Sequence, residues 1–444
     1  MAYEATPAAT RAIAAVRDSE AVRVAWRVLW TTRLAVLVVA IFAALSFGPA
    51  TGGLARVNAL KFDEPELTHA VADPLFAPLA RWDSVWYLRI ADSGYGDSEP
   101  RAAFFPLYPL LIHAGGTLGG GSKAALLIAS YAIALAALLA ALVLLHKLVS
   151  LELGRRYAGP ALLLLAVFPA ALYFGAPYSE SLFLLLAVGA FYAARTERWA
   201  WAGACAAGAS ATRSAGVLLL LPLAVLYLYG PRGTEPPGRG APAARAGARL
   251  AAFRPRHRIG PDIAWLVLAP LGLVAYVAWL GLAEGDPWRF LDVQDAWSRE
   301  LSVPLGAAWE GLTAAVDGVR QLASGRRSPV YFEVAAGDPF RIAAINIMLF
   351  ASLLFAAVAC VGVFRRLPKA YGLWMVVALL VPLSFPVTPQ PLMSLPRFLA
   401  VLFPIFMWLA LVCEERRITA QVAAVSAVGL GLFTAQFATW HWIS

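Results

Sequence analysis

Apolar runs recur along this chain more often than a soluble fold of its length could bury. Leu34–Ser46, Ala124–Leu145, Ala161–Phe174, Ile263–Leu282, Ile342–Phe364 and Val422–Phe437 each approach or reach the roughly 17–25 residues that cross a bilayer. The pattern predicts an all-α polytopic membrane protein. Its spans are expected at about 33–48, 123–146, 158–175, 180–194, 262–283, 341–364, 371–386, 398–413 and 418–438, with two short ones inside 199–229. That makes about 11 transmembrane helices.

Loop charges orient these spans, because arginine and lysine concentrate on the cytoplasmic side. With the amino terminus inside, Lys147, Arg155 and Arg156 fall inside, as do Arg195, Arg198, Arg365, Arg366, Lys369, Arg416 and Arg417. The stretch Ala103–Gly119 is apolar but is interrupted by Pro106, Pro109 and five glycines from 115 to 121. Counting it as a full span would invert the later charges, so it reads as re-entrant or interfacial, where protein or water satisfies the backbone. A single span over 199–229 would likewise leave an arginine-rich loop outside. A break at Ala211-Thr212-Arg213-Ser214 keeps that loop in the cytoplasm.

Four regions follow. Residues 1–32 form a cytoplasmic basic arm, and 33–229 a first membrane module with an outer loop at 49–122. A cytoplasmic Arg/Pro/Gly-rich linker occupies 230–261, without apolar periodicity and expected to be disordered. Residues 262–444 form a second module with an outer loop at 284–340, where Trp288, Trp297 and Trp309 suit interface anchors; Trp440-His441-Trp442 close the chain at the same interface.

Composition agrees, with 60% hydrophobic and 14% charged residues against about 45–50% and 25% in soluble domains. The net charge of +9 follows from cytoplasmic arginines, so nucleic acid is not indicated. Arg11, Arg17, Arg23, Arg27 and Arg33 precede the first span over a stretch too long for a signal n-region, which predicts a retained anchor. Lysine occurs only at 61, 123, 147 and 369, which with the alanine richness points to a GC-rich bacterial genome. Cys205, Cys360 and Cys413 lie in apolar runs without ligand spacing and read as packing residues.

The first outer segment holds Arg81-Trp82-Asp83-Ser84-Val85-Trp86-Tyr87 and continues to Ile90-Ala91. At helical spacing Asp83, Trp86, Tyr87 and Ile90 share a face. Such a helix suits the headgroup layer, with Asp83 beside a lipid headgroup; an ordinary interfacial helix with a solvated carboxylate has the same pattern. Tyr178 and Glu180 stand at another outer turn, Arg213 within an apolar stretch, and Arg397 after Ser394-Leu395-Pro396. A charge at membrane depth usually lines a pathway or site, although an arginine can also snorkel to the interface. Sidedness was assigned from cytoplasmic charge alone, yet it places all these residues together.

The Arg81–Tyr87 segment, Gly94-Tyr95, Phe104-Phe105-Pro106-Leu107-Tyr108-Pro109, Phe168-Pro169, Tyr178-Ser179-Glu180-Ser181-Leu182-Phe183, Thr212-Arg213-Ser214 with Gly216, and Pro396-Arg397-Phe398 with Phe403-Pro404 stand in an order that resembles the PIG-V family. Those are mannosyltransferases of the GT-C superfamily, known from assembly of glycosylphosphatidylinositol anchors. The resemblance runs over about residues 81–410. It implies a GT-C-type fold with a large first outer loop carrying interfacial helices, in the plasma (inner) membrane. It further implies a polyprenyl-phosphate-mannose donor, a lipid or glycan acceptor, an active site facing outside, and an acid in the first outer loop as catalytic base. That acid maps onto Asp83.

Inverting glycosyl transfer needs one carboxylate to accept the acceptor's proton, and a leaving lipid phosphate suits the arginine fork. Arg213 and Arg397 are the expected phosphate partners, with Trp82, Trp86, Tyr87, Tyr95, Tyr108, His113, Tyr178 and Glu180 around the pocket. Asp63, Glu64 and Glu66 offer a second acid or a solvated charge run. No cofactor or metal is expected, since no Asp-x-Asp pair stands at the key position. A transporter or flippase of a lipid-linked sugar is the alternative, though no inverted repeat is apparent.

Overall fold

The computed structural model describes residues 7–47, 75–96, 100–233, 255–297, 299, 301–332 and 338–441, without the side chains of residues 7–18 and Trp297. The carboxylates Asp63, Glu64 and Glu66, most of the expected 230–261 linker, and Trp442 lie outside the described residues.

The described chain is mostly helical. Four helices are long and apolar enough to cross a membrane, or up to six if each of two bent pairs counts as one span. The first, α1 (Pro7–Phe47), begins well before the expected start at 33. Arg23 and Arg27 therefore sit on an exposed helical face rather than on a separate arm. Arg33 is buried at 5% exposure. Its guanidinium donates to the carbonyl oxygens of Ala171 (2.5 Å) and Ala166 (2.7 Å).

Those carbonyls are free because the expected span 158–175 is broken. Helix α5 (Arg155–Ala166) and the 3-10 turn Pro169–Gly175 meet at 86°. Proline lacks an N–H and disfavours helix in the residue before it. Phe168 is accordingly extended, at φ −55° and ψ 142°. Arg33 thus satisfies backbone that the kink exposes inside the bundle, a role that reading it as a cytoplasmic charge did not foresee.

Helix α2 (Asp83–Ser93) and α3 (Leu107–Leu118) are short, and α3 packs on the 30-residue α4 (Lys123–Glu152). At 12 residues α3 is too short to span, in keeping with a re-entrant element. Helix α6 (Glu180–Arg195) lies between α4 and α7 (Trp199–Thr212) and is buried nearly all round. An apolar helix without a polar face belongs in such a place.

The expected break at Arg213 is present. Arg213 is extended (φ −155°, ψ 146°), and the chain turns through Ser214–Leu219 into α8 (Leu220–Tyr229). The turn folds back so closely on α7 that a Cβ on Gly216 would lie 2.2 Å from the Ala209 carbonyl.

In the second module the turn Pro261–Leu268 bends by 40° into α9 (Leu271–Ala283). Helices α10 (Arg289–Asp292) and α11 (Gly306–Ala323) follow, then α12 (Pro339–Arg366) and α13 (Lys369–Leu383). The expected span 398–413 is split into α14 (Leu395–Ala400) and α15 (Phe403–Arg416), before α16 (Thr419–Ala438).

Long-range contacts define two ends of the bundle. At one, fully buried Arg195 pairs with Glu152, which also accepts from the Tyr371 hydroxyl at 2.9 Å. Fifteen helical rises away, about 23 Å, Glu180 begins α6 at the other end, beside Asp83, Arg213 and Arg397. Trp440 arrives at this second end as well, buried against Arg81 and Trp82 rather than anchoring in an interface.

Candidate functional site

The site is assembled from helix ends. Asp83 is the first residue of α2, launched by Trp82 in the left-handed region (φ 58°), which a non-glycine residue seldom adopts. Trp82 stays there because its ring is buried edge-on to Trp440. The Tyr178 hydroxyl fixes the same turn, accepting from the Asp83 amide (3.1 Å) and donating to the Arg81 carbonyl (2.9 Å).

Glu180 opens α6, where the helix dipole favours an anion. It is fully buried and accepts from both Arg397 Nε and Arg213 Nη1, the latter at 2.6 Å. Arg397, on α14, reaches across with Nη1 to Asp83 Oδ2 at 2.5 Å. One chain of charges results: Asp83, Arg397, Glu180, Arg213. Aromatic faces support it, with the Arg397 guanidinium 4.7 Å from the Tyr178 ring centre and 5.1 Å from that of Tyr173. Arg213 lies over Phe398 and Phe183.

This chain of charges borders a cavity of about 230 Å³. Asp83, Tyr87, Arg213, Ser214, Arg397 and Phe398 line it, together with Gln294, Arg299, Phe385 and Met393 from the second module. Asp83 Oδ2 is engaged, whereas its Oδ1 accepts no hydrogen bond among the described residues. The Tyr87 hydroxyl bonds Ser179 Oγ at 2.8 Å. Burial pushes the Tyr87 phenol up to about 12, so it stays neutral at physiological pH.

The other expected pocket residues sit elsewhere. Tyr178 and Glu180 are buried behind the cavity wall. Trp82 faces Trp440, and Trp86 stacks on Phe104 at 6.1 Å. Tyr108 is fully buried, donating to the Ser130 carbonyl. Tyr95 donates to the Phe104 carbonyl and packs on Trp279. His113 Nδ1 bonds the Ala91 carbonyl at 2.7 Å and ties α3 to α2. Their common work is to hold α2 in place. Among the described residues, no three His, Cys, Asp or Glu side chains are grouped to hold a metal ion.

Sequence reasoning missed Gln294 and Arg299. Nothing local marks them, because only the long-range placement of the Val293–Trp297 turn and of Arg299 beside Val387 brings them to the cavity.

The family model described as Mannosyltransferase (PIG-V) matches residues 24–225, a range that contains Asp83, Glu180 and Arg213. Over residues 24–225 the chain is PIG-V-like. The match starts inside the expected basic arm and ends before Arg397, so the expected resemblance around Arg397 lies outside the matched residues. The GPI alpha-1,6-mannosyltransferase 2 of Cricetulus griseus is 37% identical over 139 residues. That alignment takes in 29% of this chain and 28% of the relative, so just over a quarter of the relative's length is spanned.

Among solved structures, the apo Archaeoglobus fulgidus oligosaccharyltransferase matches with a TM-score of 0.43 and 14% identity, over 93% of this chain and 56% of that one. The archaeal oligosaccharyltransferase AglB from the same organism, in complex with an inhibitory peptide and a dolichol-phosphate, matches with a TM-score of 0.41 and 14% identity, over 93% and 56%. This chain spans about half the length of both.

Proposed function

We propose that this protein is a membrane glycosyltransferase that moves mannose, or another hexose, from a polyprenyl-phosphate donor to an acceptor hydroxyl on the extracytoplasmic face, with inversion. The observation that supports it most is the ion-paired chain bordering the cavity, which joins Asp83 within the PIG-V-like residues to Arg397 outside them.

In this reading the acceptor hydroxyl lies against Asp83 Oδ1, the oxygen without a partner among the described residues. As its oxygen attacks the anomeric carbon, the proton passes to that carboxylate. The bond from the anomeric carbon to the phosphate oxygen breaks, and its electron pair leaves with the polyprenyl phosphate. Arg213 is 18% exposed and bonds Glu180 through Nη1, so the rest of its fork faces the leaving phosphate. Arg397 holds Asp83 in register and adds positive charge beside it. Glu180 is a positioning residue, out of reach of substrate. The reading assigns no metal, because a monophosphate donor does not demand one. The outer location of the cavity follows from the charge rule alone.

The test is reconstitution of the full chain in liposomes with radiolabelled polyprenyl-phosphate mannose and lipid or glycan acceptors. Transfer of label to an acceptor, in the anomeric configuration opposite to the donor's, is expected. Movement of intact labelled lipid between leaflets, with no transfer, would replace the proposal with a flippase.

A further inference from the structure

The charges around the cavity do not cancel. Asp83 and Glu180 supply two negative charges, Arg213 and Arg397 two positive ones, and ion pairs join all four. Arg299 is a third guanidinium on the same cavity. It follows the 3-10 turn Val293–Trp297, whose Gln294 also lines the space. The Arg299 backbone is anchored, since its amide donates to the Gln294 carbonyl and it forms an antiparallel bridge with Val387.

The side chain is held differently. Arg299 Nε is buried and has no hydrogen-bond partner. Among the described residues no carboxylate comes within ion-pair distance of the guanidinium. Burial lowers its pKa to about 10, while the charge of Asp83 acts in the opposite direction. It therefore remains a cation at neutral pH. A partly buried cation with no counter-ion among the described residues is costly to the fold, and a polar group left unsatisfied in a concave site points to a partner not yet bound. Apolar side chains line the same cavity, among them Val381, Pro382, Phe385 and Met393. An anionic head on an apolar tail matches both.

We infer that Arg299 is the primary receptor for the phosphate ester of a lipid-linked ligand, the group that Arg213 and Arg397, already neutralised by Glu180 and Asp83, assist but do not anchor. The inference rests on the proposed donor class and deepens it. It also implies that the segment after α9 completes a site begun in the first module, so that neither part binds donor alone.

Equilibrium binding of radiolabelled farnesyl phosphate to the detergent-solubilised full chain tests it, with inorganic phosphate as competitor. Arg299→Gln is expected to weaken farnesyl phosphate at least tenfold, and Arg299→Lys less, since lysine keeps the charge but not the planar fork. Inorganic phosphate should compete only weakly with the wild type; equal competition would mean a free-phosphate site and overturn the lipid assignment. The thermal midpoint of Arg299→Gln should equal or exceed that of wild type, because an uncompensated charge has been removed. Unchanged farnesyl phosphate binding would sink the inference, as would a midpoint that falls together with binding. The two readings fail separately. Wild-type transfer with an unaltered donor KM in Arg299→Gln would leave the glycosyltransferase and discard the Arg299 site. Arg299-dependent binding without any sugar transfer would do the reverse.

Discussion

Replacing Glu180 by glutamine isolates the physics of the charge chain, because shape is kept and one negative charge is lost. Glu180 has no exposed side-chain surface and is bonded to two guanidinia, with Arg397 at 8% and Arg213 at 18% exposure. Removing one partner of a buried pair costs about 3–5 kcal/mol, since the remaining charge stays desolvated. Arg213 can turn partly toward the cavity, which favours the lower end, about 3 kcal/mol. At roughly 2–4 °C per kcal/mol for a large domain, the unfolding midpoint should fall by roughly 6–12 °C. The assay is tryptophan fluorescence of the detergent-solubilised chain at one fixed heating rate. The double variant Glu180→Gln/Arg213→Gln should recover at least about 1 kcal/mol, because the orphaned cation is removed along with its partner. A single variant within about 0.5 kcal/mol of wild type, or a strictly additive double, would show that Glu180 does not neutralise the arginines and would refute this reasoning.

Three other outcomes are expected. Gly216→Ala should lower the midpoint by more than about 2 kcal/mol equivalent, measured in the same melt, because its Cβ would lie 2.2 Å from the Ala209 carbonyl and push Ser214 and Ala215 out of the cavity wall. Tyr178→Phe removes the bonds to the Asp83 amide and the Arg81 carbonyl; about 1–3 kcal/mol of stability should be lost, with transfer slowed more than donor binding is weakened. In a background lacking Cys205, Cys360 and Cys413, a membrane-impermeant thiol reagent applied to intact cells should label Asp92→Cys and spare Arg416→Cys; both positions are exposed, and labelling of the two alike would break the assigned topology.

How much of this was legible in the sequence depends on whether a feature is local. The break at Arg213 showed because a cation interrupts an apolar run and the loop beyond it is basic. Helix α2 showed because Trp86, Tyr87 and Ile90 repeat at helical spacing, and all three are buried. Bends at Pro169 and Pro270, the split at Val401–Leu402 and the extension of α1 to Pro7 did not show, because hydropathy measures apolar length and not direction. Among the described residues, the spans long enough to count number four, or up to six with bent pairs, against about 11 expected. Long-range partnership was least visible. Glu180 was expected in the pocket wall and lies behind it, since its place depends on two arginines 33 and 217 residues away. Arg33 read as a cytoplasmic charge because nothing nearby reveals that carbonyls 133 and 138 residues distant need a donor. His113, Tyr95 and Tyr108 drew attention as reactive types, yet each hydrogen-bonds a backbone carbonyl and so joins α2, α3, α4 and the turn between α2 and α3.

The central claim is that Asp83 takes the acceptor's proton at a cavity built around its pair with Arg397. The most direct measurement is the rate of sugar transfer from polyprenyl-phosphate mannose by reconstituted Asp83→Asn, beside wild type and with donor binding measured on the same samples. Asparagine keeps the shape of the side chain but cannot accept the proton. The account predicts a fall in kcat of about 10²- to 10⁴-fold with donor binding retained within a few fold. Transfer at the wild-type rate by Asp83→Asn would contradict it.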